Sequence, residues 1–338
     1  MTHRIDVLAV GDIVSDSFIR LLPAEAEIEK DAKDKHPLLC MTYGSKIPFE
    51  YAVTVHGVGN SPNAAVSFAR LGLKSSLYSN MGQDDIGQKM LESLKGNRVQ
   101  TQYIDAHKGK ASNFHFVLWY DADRTILIKH ETYSYAWPHI PVEDTPKWIY
   151  LSSLGEAGWG VHAKIVEYLK KHPDVKLAFQ PGTFQMRKGF AELKDLMRHT
   201  ELFVVNKEEA QMMTGKNTDD IAELAHAIHK EGARIVAITD GPKGSYASDG
   251  TTVWQMRNYP DPKPPFERTG AGDAYTSTFV AGLIYSDGDV KTAMQWGPIN
   301  SMSVVQDIGA QAGLLSKSKL EALLKSAPKD YEPKEYRN

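Results

Sequence analysis

Short apolar runs rich in β-branched residues recur along the chain and alternate with segments of helical periodicity. Continuously apolar runs of strand length are typical of a parallel sheet that is buried on both faces. The pattern therefore predicts an α/β fold with a doubly wound, mostly parallel sheet and helices on both faces. The predicted strands are Ile5–Val10, Trp148–Leu151, Val175–Phe179, Leu202–Val205 and Ile235–Ile238. The predicted helices between the later strands are 160–171, 187–198 and 218–231.

An earlier helix is predicted to begin at Ser61 and Pro62. Serine is a favoured N-cap, and proline is favoured at the first helical position because its missing N–H has no partner there. Gly72 is predicted to lie just beyond the end of this helix, because glycine readily adopts the left-handed conformation found there.

Two segments interrupt the alternation of strands and helices. The first, residues 13–57, contains the charged stretch Ala24–Lys35, and the second, residues 112–131, has the pattern of a β-hairpin that turns at Asp121–Arg124. We expect these segments to form a small β-sheet lid within one domain of residues 1–330. Residues 331–338 are predicted to be a polar, loosely held tail.

The composition excludes several classes of protein. A net charge of −3 gives no basic footprint for nucleic acid. Cys40 is the only cysteine, which excludes an internal disulfide and a cysteine-rich metal cluster. The N-terminal apolar run is too short for a secretory signal, and no later run approaches the roughly 18 residues of a membrane span. We therefore expect a cytoplasmic protein with neither a nucleic-acid nor a membrane partner.

The segment Arg268–Asp273, with the sequence RTGAGD, carries the most informative chemistry. Its glycines allow a tight turn, and the apolar run that follows predicts a buried helix whose N-terminal amides favour an anionic oxygen. A carboxylate beside such amides suits phosphoryl transfer to an alcohol, because the reaction needs a base for the hydroxyl and donors for the transferring charge. A simple turn with aspartate as a helix cap would have the same sequence.

Further polar residues follow the predicted strands. Asp12 and Asp16 come after the first strand, where ligands usually bind in an α/β sheet, and a carboxylate can accept hydrogen bonds from two neighbouring hydroxyls. Asp12 is also suited to capping a turn. Asn206 and Glu209 come after a later strand and suit magnesium that keeps its own water, although this spacing equally describes a helix capping box.

Together these segments resemble the ribokinase-like (PfkB) carbohydrate kinases. Thr269–Asp273 matches the end of the family motif Asp-Thr-x-Gly-Ala-Gly-Asp, and Gly59 and Asn63 match an N-terminal motif. The sequence departs from these motifs at three positions, which are Val58, Glu267 and Arg268.

The resemblance implies a ribokinase-like fold and ATP-dependent phosphorylation of a hydroxymethyl group on a small sugar, with Mg²⁺ as cofactor. It implies that Asp273 is the general base and that the amides of Gly270, Ala271 and Gly272 form the anion hole. It implies a homodimer that forms through the lid. The candidate substrate-binding residues are Asp16, Gly59, Asn63, Asp12, His115 and Gln180. The candidate nucleotide-binding residues are Asn206, Glu209, Thr239, Gly241, Gly244, Thr269 and Asn300, with Glu209 acting on the metal through water.

Three alternatives stay open at this point. A nucleoside kinase of the same family could use the same base, and the aromatic lid residues Phe114, Phe116 and Trp119 are compatible with it. The three departures from the motifs are compatible with a non-catalytic sugar-binding protein of the same fold. An NAD-dependent oxidoreductase is disfavoured because no Gly-x-Gly-x-x-Gly motif occurs.

Overall fold

The computed structural model describes residues 5–30, 37–121 and 123–336. Its strands are β1 (Val7–Val10), β2 (Val14–Leu21), β3 (Ala26–Glu29), β4 (Leu38–Met41), β5 (Phe49–Val58), β6 (Ser75–Gly82), β7 (Gln100–His107), β8 (Phe114–Tyr120), β9 (Asp123–Lys129), β10 (Trp148–Leu151), β11 (Lys176–Phe179), β12 (Thr200–Asn206), β13 (Ile235–Thr239), β14 (Ser245–Ser248), β15 (Val253–Met256) and β16 (Lys334–Glu335). Its α-helices are α1 (Asn60–Arg70), α2 (Asp85–Gly96), α3 (Gly160–Lys171), α4 (Thr183–Met197), α5 (Lys207–Thr214), α6 (Ile221–Lys230), α7 (Ala271–Tyr285), α8 (Val290–Val304) and α9 (Lys317–Lys325).

The main sheet has ten strands in the order β16-β15-β14-β13-β12-β11-β10-β1-β6-β7. The seven strands from β13 to β7 are parallel, and β14 to β16 extend the sheet antiparallel. The doubly wound α/β fold that the sequence predicts is therefore confirmed. The order reverses direction beside β1, and ligands bind outside the carboxyl ends of the strands at such a point.

Side chains of the central strands alternate between two apolar cores. Leu8 and Val10 of β1 belong to the core on one face of the sheet, whereas Val7 and Ala9 belong to the core on the other face. Because both faces are covered, polar side chains can be presented only where the strands end. This position is where Asp12, Gln180, Asn206 and Thr239 lie.

A separate four-stranded sheet, in the order β5-β2-β8-β9, forms the lid. Its strands come from the two segments that interrupt the sequence pattern, and β8 and β9 form a hairpin in which Tyr120 lies opposite Asp123. Strands β3 and β4 form a two-stranded hairpin beside the lid. Part of the charged stretch 24–35 lies outside the described residues, because residues 31–36 fall there.

The start of α1 differs from the prediction. The N-cap is Gly59, and Asn60 is the first helical residue, so Ser61 and Pro62 lie inside the first turn. The hydroxyl of Ser61 instead donates to the carbonyl of Val10 at 2.6 Å, which anchors the helix on β1. The shift matters because it brings Asn60 into the same helical turn as Asn63.

The C-terminal segment, expected to be a loosely held tail, contributes to the main sheet. Lys334–Glu335 pairs with β15, and Tyr331 is buried with its hydroxyl donating to the carbonyl of Gln295 at 2.8 Å. The ring of Tyr331 also packs edge-on against Tyr259, with centroids 5.2 Å apart, so this segment has apolar contact as well as strand pairing.

Helices α4, α7 and α8 are the longest α-helices in the described residues. Each has 15 residues, and no helix in the described parts of the chain combines the length and the apolar character of a membrane span.

Helices α7 and α8 pack closely against each other. A methyl group added at Gly282 of α7 would lie only 2.7 Å from the Cα of Ala293 in α8. The absence of a side chain at Gly282 thus sets the distance between the two helices.

We expect Gly282→Ala to lower the free energy of unfolding by about 1–3 kcal/mol, because the added methyl forces these helices apart. The matched control is Gly96→Ala at the end of α2, where a methyl group would have no neighbour within 4 Å. Alanine there should raise stability by up to about 1 kcal/mol through helix propensity. Urea unfolding of both variants tests this, and a stabilising effect at both positions would contradict it.

Candidate active site

Helix α7 presents its N-terminus at the centre of the site. Its N-cap Gly270 has φ 82°, a conformation that glycine adopts readily, and a methyl group there would lie 2.3 Å from the Cβ of Ala310. Ala271, Gly272 and Asp273 form the first helical turn, whose N–H groups have no acceptor within the helix. The turn thus forms a cradle of amides that can hold an anionic group.

The carboxylate of Asp273 is buried beside this cradle and accepts three hydrogen bonds from side-chain amides. Asn60 donates to Oδ1 at 2.8 Å, Asn63 donates to Oδ2 at 2.8 Å, and Gln180 donates to Oδ1 at 3.3 Å. Burial raises the pKa of Asp273 above its ordinary value, and the three hydrogen bonds act in the opposite direction. An ionised carboxylate has about four acceptor positions, so one remains for a ligand hydroxyl.

The three amide donors come from two places in the fold. Asn60 and Asn63 share one turn of α1, and Gln180 follows β11. Asn63 and Gln180 were predicted to bind the substrate, and in the structure their side-chain amides donate to Asp273. The sequence prediction did not include Asn60, although its spacing of three residues from Asn63 on a helix could have indicated it.

Tyr150 of β10 is buried beside these residues, and the sequence prediction did not include it. Its hydroxyl donates to Oε1 of Gln180, so the amide nitrogen of Gln180 points to Asp273. Burial and the charge of Asp273 raise the pKa of Tyr150. Tyr150 therefore stays a neutral donor, and it orients Gln180.

Two carboxylates and two histidines form a cluster where the lid meets the main sheet. Oδ1 of Asp16 lies 3.2 Å from Nδ1 of His115, and Oδ2 of Asp12 lies 3.5 Å from Nδ1 of His130. The two Nε2 atoms face each other at 3.1 Å, so a single hydrogen lies between them when they are hydrogen-bonded. His130 was absent from the sequence prediction because it follows the hairpin, and only the pairing of β8 with β9 brings it to His115.

The two acids of this cluster differ in their hydrogen bonding. Asp12 accepts from the hydroxyl of Tyr135 and, at 2.8 Å, from the amide of Gly155. Oδ1 of Asp16 is buried and is not aligned for a hydrogen bond with any group in the described residues. Oδ1 of Asp16 thus faces only His115, whereas Asp12 mainly holds the loop after β10.

Gly59 lies against the turn that follows β1. Its φ is 120°, and an added methyl group would lie 2.8 Å from the carbonyl oxygen of Asp12. The predicted role of Gly59 in binding the substrate stays a prediction.

Glu267 is almost fully buried just before the cradle. It accepts from the amide of Thr269 at 2.7 Å and from the amide of Gly309 at 3.3 Å, and the lid residue Arg124 lies 4.0 Å away. Glu267, which replaces the first aspartate of the family motif, thus holds both the turn at Thr269 and the turn at Gly309. Thr269, predicted to bind nucleotide, has its amide and hydroxyl engaged by Glu267.

Asn206 and Glu209 form a capping box at the start of α5. The side chain of Asn206 accepts from the amide of Glu209, and Oε2 of Glu209 accepts from the amide of Asn206, each at 2.8 Å. Burial raises the pKa of Glu209, and the charge of Asp273 adds to this effect. The capping box uses one carboxylate oxygen of Glu209, and its role at a metal stays a prediction.

The turn after β13 contains Thr239, Gly241 and Gly244 at the same edge of the sheet as Asn206. A methyl group at Gly244 would lie 2.2 Å from the carbonyl oxygen of Met256, so this glycine also has a packing role. A contact of the turn with nucleotide stays a prediction.

Asn300 does not lie where a nucleotide could contact its side chain. It is fully buried, donates to Thr278 at 2.8 Å and accepts from the amide of Leu315 at 2.9 Å. The sequence prediction for Asn300 is therefore corrected, because its amide joins α7, α8 and the loop before α9.

Comparison with known proteins agrees with this arrangement. Residues 50–317 match the pfkB family of carbohydrate kinases. Ribokinase of Bacillus subtilis is 24% identical over 274 residues, covering 80% of this chain and 88% of that protein.

Two solved structures are similar to this fold. Ribokinase of Arabidopsis thaliana in complex with ribose and ATP has a TM-score of 0.76 and 20% identity, and covers 95% of this chain and 99% of its own. A nucleoside kinase of Methanocaldococcus jannaschii has a TM-score of 0.72 and 18% identity, and covers 96% and 99%.

The match to the family spans most of the chain and includes the cradle, the buried aspartate and the amides around it. The resemblance found in the motifs is therefore confirmed. The predicted class of enzyme, a phosphotransferase with an alcohol group as acceptor, is confirmed as well. This chain belongs to the pfkB family of carbohydrate kinases.

Proposed function

We propose that the protein transfers the γ-phosphoryl group of MgATP to the hydroxymethyl group of a small, uncharged sugar. The observation that carries this proposal is the buried carboxylate of Asp273, which has one free acceptor position next to the amide cradle of α7. That combination supplies a base for a hydroxyl and donors for a phosphoryl group at adjacent positions.

In the proposed reaction, the acceptor hydroxyl donates its proton to Asp273 while its oxygen attacks the γ-phosphorus. The new P–O bond replaces the bond to the bridging oxygen, and ADP leaves with the electron pair of that bond. The amides of Gly270, Ala271 and Gly272 stabilise the charge on the transferring group. Arg124 and Trp119 bring the lid close to this turn, since Trp119 contacts Phe266 with ring centroids 5.1 Å apart.

The residues near α5 fit a hydrated magnesium ion that arrives with ATP. Asn206 and Glu209 supply oxygen ligands of the hard type, and magnesium commonly keeps several waters. In the described parts of the chain, no group of three or more His, Cys, Asp and Glu side chains could enclose a metal ion. When bound, the ion would neutralise charge on the β- and γ-phosphates.

The preference for an uncharged acceptor rests on the cluster around Asp16. The carboxylates of Asp16 and Asp12 flank the two histidines. They would repel a phosphate or carboxylate group carried by the acceptor. Hydroxyl groups, by contrast, can donate to the carboxylate of Asp16 and exchange hydrogen bonds with His115.

A nucleoside acceptor is the second candidate, because the lid face that carries Asp16 and His115 also carries exposed apolar residues. Val53, Ile126 and Ile128 lie on this face by strand register and are 38%, 38% and 68% exposed. An apolar surface beside polyol-binding groups suits a ribose that bears a base. The similarity to a nucleoside kinase structure is compatible with this candidate.

Release of ADP from MgATP, measured against sugars, sugar phosphates, sugar acids and nucleosides, tests both candidates. We expect one neutral sugar or nucleoside to be required for turnover. Asp273→Asn should lower turnover by about 10²–10⁴-fold, the usual contribution of a positioned base, while binding of MgATP stays within about threefold. A variant within about threefold of wild-type turnover would remove Asp273 from this role.

Asp16→Asn should raise the KM for the acceptor by about 10–100-fold, since a hydrogen bond to a charged group contributes about 1.5–3 kcal/mol. The KM for MgATP should change little. Asp123→Asn is the matched control in the same sheet, because the side chain of Asp123 is 91% exposed. Equal effects of both variants on acceptor KM would argue against contact between Asp16 and the acceptor.

We also propose that the protein forms a homodimer through the lid face opposite to the site. Phe116 and Leu127 lie opposite each other on that face and are 46% and 52% exposed. Exposed apolar residues that adjoin one another on a sheet favour an interface.

Leu127→Glu should weaken dimerisation at least about tenfold, because burying leucine contributes about 1.5–3 kcal/mol. Ile126→Glu, the adjacent position on the other face, is the control and should leave the dimer intact. Analytical ultracentrifugation over a range of concentrations measures both, and a monomeric wild type would refute the proposal.

A further inference from the structure

Gln311 lies in the loop between α8 and α9 and is 5% exposed. Its amide nitrogen Nε2 donates two hydrogen bonds. One goes to the backbone carbonyl of Gly57 at 2.9 Å, and the other goes to Oδ1 of Asn63 at 3.0 Å. Gln311 thus joins the end of lid strand β5 to helix α1.

The backbone carbonyl of Gly57 fixes the amide of Gln311 in the direction that agrees with an ionised Asp273, which also can only accept. A carbonyl can only accept, so Gln311 must present its nitrogen to Gly57. The same nitrogen then faces Asn63, which must present its oxygen. The nitrogen of Asn63 is consequently directed to Oδ2 of Asp273, at 2.8 Å.

We propose that Gln311 is a positioning residue that, through Asn63, keeps a hydrogen-bond donor on the carboxylate of Asp273. The proposal rests on the proposed role of Asp273 as the base. If the amide of Asn63 were reversed, its oxygen would face the carboxylate, and the base would be repelled instead of stabilised. Gln311 therefore contributes to keeping Asp273 ionised in a buried position.

The loop that carries Gln311 is held in place by Arg70 of α1. The guanidinium donates to the carbonyl of Gln311 at 2.6 Å and to the carbonyl of Leu314 at 3.1 Å. Since Arg70 and Asn63 lie on the same helix, the helix supports both ends of the contact between Gln311 and Asn63.

Gln180 is oriented in the same way from the other side of Asp273. The hydroxyl of Tyr150 donates to Gln180, which directs the nitrogen of Gln180 to Asp273. Two of the three donors on the carboxylate thus have an orienting partner that does not itself contact Asp273.

In the described residues, the charge of Asp273 raises the pKa of Tyr150 on β10 and of Glu209 on α5. Helix α1 contributes only the neutral amides of Asn60 and Asn63 to the carboxylate, and β11 is followed by neutral Gln180. Tyr150 remains protonated in the neutral range because its pKa is raised. Glu209 is the group whose own titration must be separated from that of Asp273.

The test is the pH dependence of kcat/KM for Gln311→Glu. A glutamate at this position has at most one donor where glutamine has two, so it cannot donate to both Gly57 and Asn63. When ionised it faces Asn63 with oxygen alone and favours the reversed amide. The pKa of Asp273 should rise. As the pH is lowered, the variant should therefore lose activity at a higher pH than the wild type does. We expect the acidic limb to move upward by about 1–2 units, as expected for loss of one hydrogen bond to a charged group.

Two variants control for folding and for general damage to the loop. Gln306→Glu makes the same change in the same loop, where Gln306 donates to the carbonyl of Lys263 at 3.2 Å, and should leave the limb in place. Gln311→Met removes the donor without reversing Asn63 and should give a smaller upward shift, which is measurable even if Gln311→Glu fails to fold. Limbs of both Gln311 variants within about 0.3 units of the wild type would overturn the proposal.

The Asn63→Ala background separates orientation from direct repulsion. An effect transmitted by Asn63 vanishes when Asn63 is absent, so Gln311→Glu should cause no further shift there. A shift that persists would come from the new carboxylate itself and would overturn the proposal. Retained activity of Asp273→Asn would instead refute the proposed function, so the two failures are distinguishable.

Discussion

The rest of the site depends on one constraint, the burial of the carboxylate of Asp273 at the N-terminus of α7. A buried charge is tolerated only when hydrogen bonds replace its lost hydration. Three side-chain amides supply these bonds, and they come from α1 and from the end of β11. The first turns of α1 and α7 must therefore meet at the carboxyl edge of the main sheet, next to the amide cradle.

The lid is joined to this centre by a few directional contacts. Asn113, which is buried, donates to the carbonyl of Ile13 at 3.0 Å and accepts from the amide of Glu131 at 2.8 Å, so it holds the places where lid strands leave the main body. The pairs of Asp12 with His130 and of Asp16 with His115 lie at the same boundary. The acceptor would thus be bound where lid and sheet meet.

Membership of the family accounts for the phosphoryl transfer, whereas the identity of the acceptor depends on residues of the lid. The structures that this fold resembles include a ribokinase and a nucleoside kinase, so the fold alone does not distinguish the two. The distinguishing features are local to this chain. The acid–histidine cluster suits hydroxyls, and Val53, Ile126 and Ile128 add an apolar surface beside it.

The sequence by itself determined the doubly wound sheet, the lid segments and the cradle at Gly270–Asp273, because periodicity and glycine spacing are local properties of the chain. Only the tertiary structure decided what the polar side chains contact. Asn63 and Gln180 contact Asp273, Asn300 is enclosed between helices, and His130 reaches His115 through the pairing of β8 with β9. Such contacts depend on hydrogen-bond direction between residues far apart in the chain, and a single sequence does not encode that direction locally.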